Sequence, residues 1–156
     1  MIHNIAPVWA ENSRVLILGS FPSPKSRESG FFYGHPQNRF WATLAAVFEE
    51  ETPRTIPDKK AFLLSHKIAL WDVLKSCDIV GADDSSIENA EPNDLGVIKA
   101  DVKAVFTTGK AATAYYEKFH GKKSIYLPSP SPANRAVKTE KLIEEYRKIR
   151  TILEGE

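Results

Sequence analysis

The sequence predicts an α/β fold: a mostly parallel sheet covered by helices on both faces. Three observations carry that expectation. Short, wholly apolar runs alternate along the chain with segments whose apolar residues recur at helical spacing. The runs lack the polar–apolar alternation of a sheet with one wet face, so each reads as a strand buried on both sides. No internal repeat, low-complexity tract or linker divides the chain, so residues 1–156 read as one domain.

Val15-Leu16-Ile17-Leu18, ending at Gly19, is the first strand. A glycine- and serine-rich loop follows. His35-Pro36 is then expected to open a helix, since proline suits the first helical position, with Gln37, Asn38 and Arg39 in its first turn. Phe40, Trp41, Leu44, Val47 and Phe48 form its apolar stripe. Pro57 to His66 reads as a second helix with Phe62 and Leu63 turned inward, and Ile68 to Trp71 as a short strand. Residues 78–96 are polar and rich in Asp, Ser and Asn, so a long loop leading into a short helix near Asn93 is expected. Ala104-Val105-Phe106 is another buried strand and Gly109 to Phe119 a helix. Ser124 to Leu127 is the last strand, and Leu142, Ile143, Tyr146, Ile149 and Leu153 mark the buried face of a closing helix.

Composition excludes several classes. Lys and Arg exceed Asp and Glu by one, so total charge neither advertises nucleic acid nor argues against a local basic face. The single cysteine, Cys77, leaves no intramolecular disulfide and no site built from several thiolates; it reads as a buried or semi-buried thiol in a reducing cytosol. His3, His35, His66 and His120 lack paired ligand spacing, so neither metal nor cofactor is expected. No leader-like or membrane-spanning apolar run stands out, and a soluble, cytoplasmic protein is the expectation.

In parallel sheets of this kind ligands bind beyond the carboxyl ends of the strands. That points to three loops: Gly19–Gly34, Thr107–Lys110 and Pro128–Arg135. Gly19-Ser20-Phe21-Pro22-Ser23 turns sharply after the first strand and can face backbone N–H groups to a ligand. It matches neither the dinucleotide fingerprint nor the nucleophile elbow, and alone it is also an ordinary strand-to-helix loop. Phe31-Phe32-Tyr33-Gly34-His35-Pro36-Gln37-Asn38-Arg39-Phe40-Trp41 places aromatics suited to stacking on a planar base beside an Asn whose amide oxygen can hold a water. Taken singly, those residues read more readily as core aromatics and a helix cap; together, at the strand ends, they point to a site. Leu127 to Arg135 carries three alternating prolines, which make a stiff loop, with Ser129, Ser131 and Arg135 as phosphate donors. Gly109-Lys110 is no phosphate loop, because Walker A requires glycine where Ala104 stands and Ser or Thr where Ala111 stands. Asp72, Asp83 and Asp84 are expected to cap structure, although Asp72 ends a strand and could touch the site.

The segments GSFPS, FFYGHPQNRFW and LPSPSPANR, in that order and with ALWDVLKSC between, resemble the DNA-deoxyinosine (hypoxanthine-DNA) glycosylases of the uracil-DNA glycosylase superfamily. The likeness covers nearly the whole chain; mismatch-specific uracil/thymine glycosylases are more distant relatives. It implies a three-layer α/β/α fold with a four-stranded parallel sheet, and hydrolysis of the N-glycosidic bond of a deaminated base in DNA. It further implies Asn38 as the catalytic residue orienting water and Tyr33 as the aromatic that stacks on the flipped base. Gly19, Ser20, Phe21 and Thr108 would line the base site. Ser129 to Asn134, with Pro130, would form the loop that penetrates the duplex, Arg135 would follow it as a phosphate donor, and Ser23 with Ser131 would grip phosphates. Two positions depart from relatives. Phe21 stands where the mismatch-specific type carries Asn. Thr108 stands where many relatives read the base edge with Asn, and its hydroxyl has shorter reach, so base preference turns on it.

Extruding the base costs least for a poorly paired lesion. Charge on the departing base would be met by backbone N–H groups of the Gly19–Ser23 turn and by Thr108. That turn has no carboxylate, and Glu28 is the only one between it and Asn38, so the water is expected to be held rather than deprotonated. Other readings of the same sequence are a uracil or G·U/T mismatch glycosylase, a catalytically inactive lesion-binding module, and a small-molecule nucleotide enzyme. The last would have no use for the proline-rich loop. Monomeric action on duplex DNA is the default.

Overall fold

A computed structural model describes residues 5–155. In chain order its elements are β1 (Val15–Gly19), α1 (Pro24–Ser29), α2 (Phe40–Val47), α3 (Ile56–Ser65), β2 (Ile68–Asp72), β3 (Leu74–Val80), β4 (Asp83–Pro92), a 3-10 turn at Leu95–Val97, β5 (Ala104–Thr108), α4 (Lys110–His120), β6 (Ile125–Leu127) and α5 (Thr139–Glu154). Four parallel strands make the main sheet in the order β2-β1-β5-β6, flanked by helices in a three-layer α/β/α arrangement. Every residue of β1 and β2 is buried, as their unbroken apolar runs require. The chain leaves β1 for β2 on one side and returns to β5 on the other. The switch point therefore falls beside β1, at the ends marked by Gly19 and Thr108.

The closing helix behaves as its periodicity predicts. Leu142, Tyr146 and Ile149 of α5 are buried, Phe40 and Tyr146 meet edge to face at 6.3 Å, and the Tyr146 hydroxyl donates to the Pro128 carbonyl at 2.9 Å. Cys77 is buried and in no disulfide. No helix among the described residues is long and apolar enough to cross a membrane.

Three local expectations are corrected. The loop after β1 contains a short helix, α1, capped by Ser23, whose hydroxyl accepts the Ser26 N–H at 3.2 Å, and closed by Gly30 in the left-handed region. Six residues are too few to show a periodic apolar stripe, but the Ser-Pro start and Gly stop were both present. Residues 78–96 are not a long loop: β3 and β4 form an antiparallel hairpin turning at Gly81-Ala82, with Gly81 at φ 60°. Its polar composition and repeated register shifts hide the strand pattern. Finally, α2 begins at Phe40 rather than at Pro36, so Gln37, Asn38 and Arg39 precede it. The Asn38 N–H donates to the His35 carbonyl at 2.9 Å, and the Asn38 side-chain oxygen accepts the Phe40 N–H at 2.8 Å. That local bond satisfies the helix start and competes with earlier helical turns.

Candidate active site

One cavity of about 310 Å³ opens at the switch point. Its walls are the Gly19–Ser23 turn, the connection carrying Tyr33, His35 and Asn38, the ends of β2 and β5 at Asp72 and Thr108, the hairpin at Ile79, Ala82 and Asp84, and Ser129–Ala133. Sequence positions more than a hundred residues apart thus converge there because parallel strands bring all their carboxyl ends to one edge.

Tyr33 is held by its ring and by its hydroxyl. One ring face stacks on Phe40 at 4.0 Å and 12°, while its hydroxyl pairs with Thr108 Oγ1 at 2.9 Å. Its backbone has φ 53°, a left-handed conformation unfavourable for a non-glycine residue and characteristic of functional sites. Of the neighbouring aromatics, Phe31 is buried, Phe32 is buried against the cavity wall, and Trp41 donates its indole N–H to the Phe32 carbonyl at 3.1 Å. The Thr108 hydroxyl also lies 3.4 Å from the Leu18 carbonyl, to which it donates. Its polar group is thereby committed to positioning Tyr33 on the end of β1.

Asn38 presents its amide on the same cavity, with one lone pair of the oxygen holding the Phe40 N–H. Across the pocket stand two carboxyls expected from sequence to cap structure, of which only Asp72 is also expected to be able to touch the site. Asp72, at the end of β2, is 4% exposed. Asp84 reaches the rim from β4 and accepts a hydrogen bond from the Ser20 hydroxyl at 3.0 Å, tying the hairpin to the first loop. Burial, and secondarily the charge of Asp84, push the Asp72 carboxyl up to about 7. Burial, then Asp72, raises the Tyr33 phenol well above its ordinary range.

The Asp72 shift has a consequence for stability. Its folded-state value lies above the roughly 3.9 of an unfolded Asp, so the folded protein binds the extra proton in that interval. Stability is greatest below the unfolded value, falls as pH rises through about 7, and stays low above it. Asp72→Asn is therefore expected to raise the melting temperature at alkaline pH and flatten its dependence between acid and neutral pH. Thermal melts of both proteins across that range check this; parallel curves would contradict it.

The proline loop is braced from within and by Arg39, just before α2. Ser129 Oγ accepts the Ser131 N–H and Ser131 Oγ accepts the Ala133 N–H, each at 3.2 Å, so both hydroxyls keep their own protons to donate. Asn134 donates its amide to the Ser129 carbonyl at 2.9 Å. Arg39 donates to the carbonyls of Val137 at 2.8 Å and Asn134 at 3.0 Å, and its backbone N–H to the Pro130 carbonyl at 3.1 Å.

Of the residues singled out from sequence, Gly19, Ser20, Phe21, Ser23, Tyr33, Asn38, Thr108, Ser129, Pro130 and Ser131 all line this one cavity. Asn134 and Arg135 instead lie in an adjoining shallower cleft with Gln37, Arg39 and Lys138. Phe21 is buried, with the Arg27 guanidinium 5.5 Å from its ring centre. Ser23 caps α1 as well as facing the pocket. Asp84 is the residue missed, whereas Asp72, expected as a strand end that could touch the site, does line the cavity. His66 pairs with Glu50 at 2.6 Å, His120 ends α4, and His3 lies outside the described residues.

Comparison with known proteins agrees with this geometry. The model of the uracil DNA glycosylase superfamily matches residues 7–153. A protein of Methanosarcina acetivorans named hypoxanthine DNA glycosylase is 36% identical over 134 residues, covering 82% of this chain and 85% of its own length. A protein of the same name from Methanosarcina barkeri is 34% identical over 135 residues, covering 83% and 85%. A solution NMR structure from Methanosarcina acetivorans, provisionally assigned as a uracil DNA glycosylase, superposes with a TM-score of 0.78. It is 29% identical and covers 96% of this chain and 99% of its own. With a matching family model, close relatives and a shared fold, this chain belongs to the uracil DNA glycosylase superfamily and is a DNA glycosylase.

Proposed function

We propose that the protein is a monofunctional glycosylase that hydrolyses the N-glycosidic bond of a flipped, deaminated base in DNA, hypoxanthine first, in base excision repair. It would act as a monomer in the cytoplasm. The observation that carries this reading is the convergence of the Tyr33 ring, the Asn38 amide and the braced proline loop on one cavity. Tyr33 stacks one face on Phe40 and lines the cavity, where its ring would take the base by stacking. The loop at the rim is stiff enough to enter a duplex as the base leaves it.

Hydrolysis then builds positive charge on the sugar as the bond to the base lengthens. Asn38, fixed by its bond to Phe40, holds water through its remaining lone pair and its amide N–H groups. Ser129 and Ser131 retain hydroxyl protons for phosphate oxygens beside the lesion. The two similar proteins named hypoxanthine DNA glycosylase support the choice of base.

Uracil is the second reading, favoured by the provisional assignment of the superposed structure. Single-turnover excision from duplexes carrying hypoxanthine, uracil or xanthine separates them. Fastest release of hypoxanthine is expected. Fastest release of uracil would transfer the assignment to that base, and binding without abasic-site formation would mark an inactive lesion-binding module.

A further inference from the structure

The scheme above, on which this inference rests, makes no use of the carboxyls in the pocket. Asp72 closes β2 where it runs beside β1, and its side chain packs directly over Gly19. A Cβ at position 19 would lie 2.6 Å from Asp72 Oδ1 and 3.2 Å from the Tyr33 hydroxyl. The bare glycine makes room for the acid beside the ring proposed to carry the base. Its backbone is locked there: the Asn93 amide donates to the Asp72 carbonyl at 2.9 Å, and the Val73 N–H to the Gly19 carbonyl at 2.8 Å.

Other proton donors on that wall are committed. Thr108 donates to the Leu18 carbonyl, and Tyr33 then donates to Thr108. Ser20 donates to Asp84. A departing purine or pyrimidine carries away an electron pair and is a better leaving group when a proton meets it. We propose that Asp72 is the general acid of the reaction, delivering its proton to the departing base. The C1′–N bond breaks with its electron pair on the base, and the Asp72 O–H bond breaks as the proton moves to a base nitrogen or carbonyl oxygen. The oxygen of the water held by Asn38 bonds C1′. That water's proton leaves to solvent at the rim, and Asp72 regains one from solvent. Its position near neutrality keeps the acid form available at physiological pH.

The other titratable groups facing the pocket are Asp84 from β4 and Tyr33 and His35 from the connection before α2; the turn after β1 contributes uncharged Ser20, and β5 contributes uncharged Thr108. The test is single-turnover excision on both sides of pH about 7, with wild type, Asp72→Asn, Asp84→Asn and His35→Gln. Wild-type rate should fall as pH rises through that value. Asp72→Asn should be about 100-fold slower on the acid side and lose the fall. His35→Gln should keep the fall, and Asp84→Asn should move it to lower pH by removing a neighbouring charge. Asp72→Asn should slow release of uracil more than release of 5-fluorouracil, a better leaving group, while binding a non-cleavable lesion duplex within a few-fold of wild type. Equal slowing of both bases, an unchanged pH profile, or lost binding overturns the assignment. An inert wild type overturns the glycosylase reading itself; an active wild type matched by Asp72→Asn overturns this inference alone.

Discussion

Asn38→Ala is expected to lower single-turnover excision by about 10³-fold while leaving affinity for a lesion duplex within a few-fold of wild type. The structure complicates the variant, because the same side chain caps α2 through the Phe40 N–H. Losing that cap should cost about 1 kcal/mol. The two effects separate in Asn38→Asp, which keeps an acceptor for Phe40 but loses the amide N–H groups. If Asn38 only caps the helix, Asn38→Asp restores stability and rate together, and Asn38→Ala retains near-normal rate wherever it is folded. If Asn38 holds the water, Asn38→Asp restores stability while its excision rate departs from wild type. Melting temperature and rate, measured on both variants, decide between them.

Arg39→Ala should have the next largest effect, through the proline loop rather than the chemistry. The guanidinium is a fork between the Val137 and Asn134 carbonyls, and its truncation leaves both without their protein donor. A loss of about 2 kcal/mol in stability is expected from two charge-assisted hydrogen bonds. A loop no longer held in its bound shape must be ordered on binding, which should raise Kd for a lesion duplex about tenfold. Arg39→Lys should restore little, because one ammonium on a flexible stem does not reproduce the planar fork. Titration of an abasic-site duplex against the three proteins checks this. An unchanged Kd for Arg39→Ala would show that the loop is stiff without its brace.

What could be read from the sequence follows the physics of each segment. The strands β1, β2 and β5 and the helix α5 carried unbroken apolar runs or a clean helical stripe, and all four were legible. The hairpin was not, since β3 and β4 are mostly exposed and their register slips repeatedly. That one failure concealed Asp84 as part of the pocket. Asp72 was legible as a strand end that could touch the site, yet a capping role was expected for it, because nothing local reveals that Gly19 on the neighbouring strand has left space for its carboxyl. Likewise, Thr108 stood out as a departure at a base-reading position, yet its hydroxyl is held by Tyr33, a partner 75 residues away in sequence. Asn38 was found by motif, but its place before α2 rather than within its first turn depended on a side-chain bond to Phe40.

The most direct measurement is to incubate the wild-type protein with duplex DNA bearing a single hypoxanthine, cleave abasic sites with alkali and assay the released base. Strand scission at the lesion with one equivalent of free hypoxanthine is the expected result. An intact strand under conditions where the protein binds the duplex would contradict a glycosylase site in this cavity.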